Sequence, residues 1–161
     1  MASSPIVIRP ATAADVPALG RLGAALMRQH HAFDTRRFLP PGDDPEGGYG
    51  WFLGQQLEDA DAVVIVAEQN DTVVGYVYAG IEPLSWKELR DECGFVHDLF
   101  VAEPARGLGA GPRLLDAAFA WLRARGMPRV VLWTAEQNAT AQQVFTRAGF
   151  RRTMIEMTRE L

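Results

Sequence analysis

Two hydrophobic rhythms alternate along the chain. Short apolar runs, continuous or of period two, occur at 6–8, 62–68, Thr72–Glu82, 95–101, 129–135 and 150–160. Their length and their Val, Ile and aromatic content predict strands. Apolar residues at helical spacing lie between them. Val16, Leu19, Leu22 and Leu26 form one such stripe. It predicts a helix over 13–30, with Thr12 as its cap and Asp15 in its first turn. Further helices are expected over about 49–59, from a glycine-rich turn at 106–111 to about Arg125, and over 138–148.

The connections carry their own signals. Asn70-Asp71 predicts a hairpin turn, and Gly75 and Gly80 a bulge or a close backbone approach. Residues 32–50 hold Pro40, Pro41, Pro45 and the acidic run Asp43, Asp44, Glu46, and read as a long loop. Residues 83–94 read as a polar insertion with a helical turn or two around Trp86. The expected order is β-α-α-β-β-β-α-β-α-β. That is an α/β fold with a mixed sheet flanked by helices, antiparallel first and locally parallel near the glycine turn.

Composition narrows the class. The 161 residues suit one domain, 1–161. A hydrophobic fraction of 48% with 22% charged residues is that of a soluble globular protein. The formal net charge of −4 argues against a nucleic-acid partner, which calls for a basic surface. No apolar run is long enough to span a membrane, and 1–10 has no leader-like pattern. Cys93 is the only cysteine, so no intrachain disulfide can form, which fits a cytoplasmic location. His30 and His31 have no third ligand near in sequence, and no metal is expected.

The chemistry concentrates at 96–115, where a strand, a glycine turn and a helix start follow one another. Amides converge at such a junction, the helix dipole favours an anion, and glycines let it approach. A Walker A loop is excluded because no Lys follows the glycines, and a dinucleotide fingerprint because Pro112 stands at its third glycine. What remains is Arg106-x-x-Gly109-x-Gly111, preceded by Val101, Glu103 and Pro104. Downstream stands Asn138-x-x-Ala141-x-x-Val144-Phe145-x-Arg147-x-Gly149-Phe150. With the opening IRPATAADVPAL, these motifs resemble the GNAT superfamily of N-acetyltransferases over nearly the whole chain. His97-Asp98-Leu99-Phe100-Val101 is similar to the corresponding strand of its polyamine/diamine branch.

The resemblance implies acetyl-CoA as co-substrate. Its pyrophosphate would lie on the turn Gly107, Leu108, Gly109, Ala110 and Gly111, which Arg106 shapes. The pantetheine arm would run along Leu99, Phe100 and Val101, near Asn138 and Phe145. The implied reaction is direct acetyl transfer to the primary amine of a small molecule. An alkylammonium, with a pKa of about 10.4, must first lose a proton. The base candidates are His97, Asp98 and Glu82, and a backbone N–H of the central strand is the expected oxyanion donor. Strand alternation puts His97 and Asp98 on opposite faces. Phe145 stands where many relatives have a Tyr acid, which leaves Thr134, Tyr76, Tyr78 or water as proton donors. Two alternatives stay open: a peptide or protein N-acetyltransferase, and a non-catalytic acyl-CoA-binding module. Carboxylates with Trp51 and Trp86 in 32–50 and the nearby elements would suit an ammonium substrate. A homodimer is expected through the last strand, read as an exposed edge.

Overall fold

A computed structural model describes residues 4–161. The sheet holds five strands in sequence order: β1 (Val7–Pro10), β2 (Ala62–Gln69), β3 (Thr72–Glu82), β4 (Cys93–Val101) and β5 (Val130–Leu132). Neighbours are antiparallel except β4 and β5, which run parallel. The helices are α1 (Val16–Phe33), α2 (Pro45–Gln56), α3 (Ala110–Ala124) and α4 (Ala139–Arg147). This is the expected mixed α/β fold with one strand fewer. Residues 151–161 form no strand.

Both faces of the sheet are covered, which is why β2 and β3 are apolar on consecutive residues rather than alternate ones. Ile65, Ala67, Val77, Ala79 and Val96 pack against Leu114, Leu115 and Ala118 of α3 and Phe145 of α4. Val64, Val66, Tyr76 and Phe100 pack on the other side against Leu19, Leu22 and Leu53 of α1 and α2. At the end of β1, Arg9 joins the two ends of this layer. Its Nη1 donates to Asp15 at 2.8 Å and its Nη2 to Glu68 at 2.6 Å. Asp15 also accepts the Thr12 N–H at 2.8 Å, completing the predicted helix start.

Three local expectations change. The second helix begins at Pro45 rather than near Tyr49, because Asp44 caps it by accepting the Gly47 N–H at 2.9 Å. The 83–94 insertion is a tight loop rather than a helix. Ser85 and Arg90 bridge it, and Leu89 turns it at φ 50°. The last β5 residue is Leu132, three short of the expected end. The Asn70-Asp71 turn has both residues at positive φ, 51° and 56°, as a hairpin turn of this kind requires.

Candidate active site

The β3–β4 register shifts in mid-strand. Tyr78 pairs with Asp98, but the next residue, Ala79, pairs with Val96. His97 is therefore an extra residue on β4, a β-bulge. A bulge breaks the alternation of faces. Val96 and Leu99 both pack in the α3–α4 layer, so His97 and Asp98 lie together on the α1–α2 side. The expectation of opposite faces fails for this reason, and the two candidate bases become neighbours in one layer.

Their surroundings then separate them. The His97 ring is stacked between Tyr78, at 4.7 Å between centroids, and Phe95, at 4.6 Å. Its Nε2 lies 2.9 Å from Glu82 Oε1, across the end of β3. Burial lowers the His97 pKa below its usual 6.5, against the opposing pull of the Glu82 and Asp98 carboxylates. The imidazole is thus neutral at neutral pH. With Nε2–H donating to Glu82, Nδ1 keeps a lone pair able to accept a proton. Asp98 is partly buried. Tyr49 of α2 and Tyr76 of β3 both donate to its Oδ2, at 2.7 and 3.0 Å. Burial raises its pKa, although the two hydroxyls favour the ionised form. Gly23 of α1 leaves room for this arrangement. A Cβ there would overlap the Tyr49 ring.

His97, Glu82 and Phe95 line a cavity of about 220 Å³ together with Glu88, Arg90 and Trp133. Trp133, just past β5, meets Phe95 edge-on at 5.4 Å. Arg90 Nε donates to Glu88 at 2.7 Å, and its Nη1 donates to Pro83 O and to Cys93 Sγ. Phe95, Trp133, Glu88 and Arg90 are absent from the sequence-level candidates. Only the stacking of β4 against β5 and the fold-back of the insertion bring them to this cavity. His30 and His31 lie elsewhere, their Nδ1 atoms bonded to Leu26 O and Phe38 O.

Beside the cavity, β4 and β5 diverge. Their ladder covers only Gly94–Val96 against Val130–Leu132. The Ala102 N–H donates to Val74 O on β3, so the peptide groups of Leu99 and Val101 point to the side that β5 has left. The Val101 carbonyl there accepts Arg106 Nε at 2.8 Å. Arg106 also lies over the Phe100 ring, at 5.5 Å. It thereby pins the turn to the strand. Gly107 and Gly109 turn the chain at φ 79° and 84°, and α3 starts at Ala110. A Cβ at Gly107, Gly109 or Gly111 would meet nothing within 4 Å, so the turn borders open space. The open strand edge and the first amides of α3 are the groups that could hold an extended amide-bearing arm ending in phosphates. Two further candidates serve the scaffold. Asn138 Oδ1 caps α4 by accepting the Ala141 N–H at 3.1 Å. Phe145 is buried edge-on to Phe150 at 5.9 Å.

A splayed parallel strand pair thus stands between an amide-lined turn and a histidine–carboxylate pair. A model of the acetyltransferase (GNAT) family matches residues 24–150, and the chain belongs to that family. Its enzymes take the acetyl group from acetyl-CoA. The chain is 30% identical over 145 residues to the uncharacterized N-acetyltransferase YhfO of Bacillus subtilis, covering 89% of this chain and 88% of that protein. Among solved structures, a mutant of the BH1408 protein of Bacillus halodurans superposes with a TM-score of 0.81 at 21% identity, over 96% of this chain and 99% of that one. The aminoglycoside N-acetyltransferase AAC(6')-Iy, solved in complex with CoA, gives 0.76 at 17% identity, over 99% and 97%.

Proposed function

We propose that this acetyltransferase acetylates the primary amine of a small molecule and that His97 is its general base. One observation carries the reading: His97 Nε2 lies 2.9 Å from Glu82 Oε1, and the imidazole lines a cavity with Phe95 and Trp133. The Leu99–Val101 edge and the amides of Gly107 to Gly111 would hold the coenzyme, which supplies an activated acetyl thioester. Glu82 orients the imidazole. Asp98 is engaged elsewhere: its Oδ2 accepts both Tyr49 and Tyr76 and so ties α2 to β3. Glu82 beside Phe95 and Trp133 favours an ammonium-bearing acceptor, whose nitrogen passes a proton to His97 as its bond to the acetyl carbon forms and makes that nitrogen acidic. The motif resemblance makes diamines the first acceptors to try, and aminoglycosides the second.

Phe145 has no hydroxyl to offer the departing thiolate. Tyr76 is committed to Asp98, and Tyr78 donates to Gln56 at 3.0 Å with its pKa pushed up to about 12 by burial and nearby carboxylates. That leaves Thr134, exposed beside Trp133, or water to protonate the departing thiolate. The test is thiol release from acetyl-CoA across a panel of diamines, aminoglycosides, amino acids and peptides. Small amines should react and peptides should not. His97→Ala should lower turnover by about 10²–10⁴-fold while stabilisation by coenzyme A persists. Undiminished turnover in that variant would remove His97 from the chemistry.

A further inference from the structure

The cavity beside His97 has an uneven lining. It holds about 220 Å³, below the roughly 300–1,000 Å³ that encloses a drug-sized ligand. A small head group fits inside, and anything larger must continue out across the mouth. Two carboxylates line it, and they are not equivalent. Glu88 Oε2 accepts Arg90 Nε at 2.7 Å, so its charge is answered within the loop. Glu82 instead faces the His97 ring, at 2.9 Å. Among the described residues, Glu82 is thus the one lining carboxylate that no guanidinium neutralises. Asp91 and Glu92, further along the loop, do not line the cavity. The rest of the wall is aromatic: Phe95, the His97 ring stacked on it at 4.6 Å, and Trp133 edge-on to Phe95 at 5.4 Å.

The way out is apolar as well. Trp133 is 66% exposed, and the loop that supplies Glu88 and Arg90 carries Leu84, Trp86 and Leu89 at 54%, 84% and 89%. Large apolar side chains crowded on one short exposed loop call for a partner, where scattered ones do not. The loop is also held in shape. Ser85 and Arg90 exchange both backbone hydrogen bonds, at 2.8 and 3.1 Å, and Arg90 Nη1 donates to Asp91 O at 2.9 Å. Leu89, between the two lining residues, is fixed at φ 50°, which leucine rarely adopts without such support. Glycine or asparagine would fit that φ at less cost. Leucine adds an apolar surface beside the cavity.

We propose that the acceptor is a monoamine with an apolar body. Its head group sits by Glu82 and His97, and its body runs over Phe95 and Trp133 toward Leu89. This rests on the amine-acetylating reading above and narrows its acceptor. A diamine of equal length brings a second ammonium to a wall that offers Arg90, a like charge, and no free carboxylate, so that charge loses water without gaining a partner. The test is thiol release from acetyl-CoA with propylamine, butylamine, pentylamine and hexylamine, and with hexamethylenediamine. Along the alkyl series kcat/KM should rise by about fourfold per methylene, and hexylamine should exceed the diamine by about tenfold or more. Leu89→Asn, suited to the same φ, and Trp133→Ala should each flatten the series, with thermal stabilisation by coenzyme A showing that each variant is folded. A flat series, a diamine that matches hexylamine, or a slope indifferent to both variants overturns the proposal and leaves amine acetylation standing. No thiol release from any of these amines also overturns it. The aminoglycosides, amino acids and peptides of the wider panel then decide whether amine acetylation falls too.

Discussion

Replacing Asp98 separates two jobs that one carboxylate can do. Both tyrosine hydroxyls converge on the same oxygen, Oδ2, at 2.7 and 3.0 Å. Asp98→Ala removes the shared acceptor of Tyr76, which is buried, and of Tyr49, which is partly buried. At about 1–3 kcal/mol for each stranded group, and with partial relief because an ionised carboxylate no longer has to be buried, the loss should be about 2–4 kcal/mol. Asp98→Asn should cost less than about 1 kcal/mol. Its Oδ1 can accept both hydroxyls, and the weaker neutral bonds are offset by the absence of a charge to desolvate. The assay is urea denaturation of the three proteins at constant pH, read by tyrosine and tryptophan fluorescence. Asp98→Ala should lower the midpoint without changing the slope. The pH dependence has a defined sign. Burial raises the Asp98 pKa above 3.8, so the folded state holds this proton more tightly than the unfolded state. Its contribution is fully present below pH 3.8 and is lost as pH rises through the folded value. The stability of the wild type relative to Asp98→Asn should therefore decline over that window. Equal damage from Ala and Asn, or a cost below about 1 kcal/mol for Ala, would refute the account of a shared acceptor oxygen.

Other outcomes follow from the same geometry. The His97 pKa is depressed by burial and held up by Glu82, so Glu82→Gln should move the acidic limb of kcat/KM to still lower pH. A limb that stays in place would show that Glu82 does not act on the base. Gly23→Ala should drive the Tyr49 ring off its seat and destabilise by about 1–3 kcal/mol, measured by thermal unfolding. Gly109→Val, at φ 84°, should cost about 1–2 kcal/mol of strain and abolish thermal stabilisation by coenzyme A. Stabilisation that survives would take the turn out of the coenzyme site.

The strands and helices were legible because their apolar periods are carried by local sequence. Thr12 and Asn138 likewise announce their helix starts, whereas Asp44, in an acidic run that reads as loop, does not. The bulge at His97 was not legible. Nothing in Phe95-Val96-His97-Asp98 says that β3 will skip one residue opposite it, and alternation gave the wrong face. The fate of 150–160 was missed for a related reason. Alternation shows that a segment can be a strand, not that a sheet edge will take it. Glu82 and His97 could be named as candidates from neighbouring strand ends. Their 2.9 Å contact depends on the hairpin register, and the Glu88–Arg90 wall depends on a turn at Leu89, a residue that rarely adopts positive φ.

The bulge also gives β4 two opposite parities. Before His97, the odd-numbered positions face the α1–α2 layer. From Asp98 onward, the even-numbered ones do. A one-codon deletion here would not merely remove an imidazole. It would restore unbroken alternation and turn either Phe95 or Phe100, with every residue on its side of the break, toward the wrong layer. The histidine is thus also a phase marker for the central strand. Point substitutions at 97 test chemistry, whereas insertions and deletions there test whether the sheet can form at all.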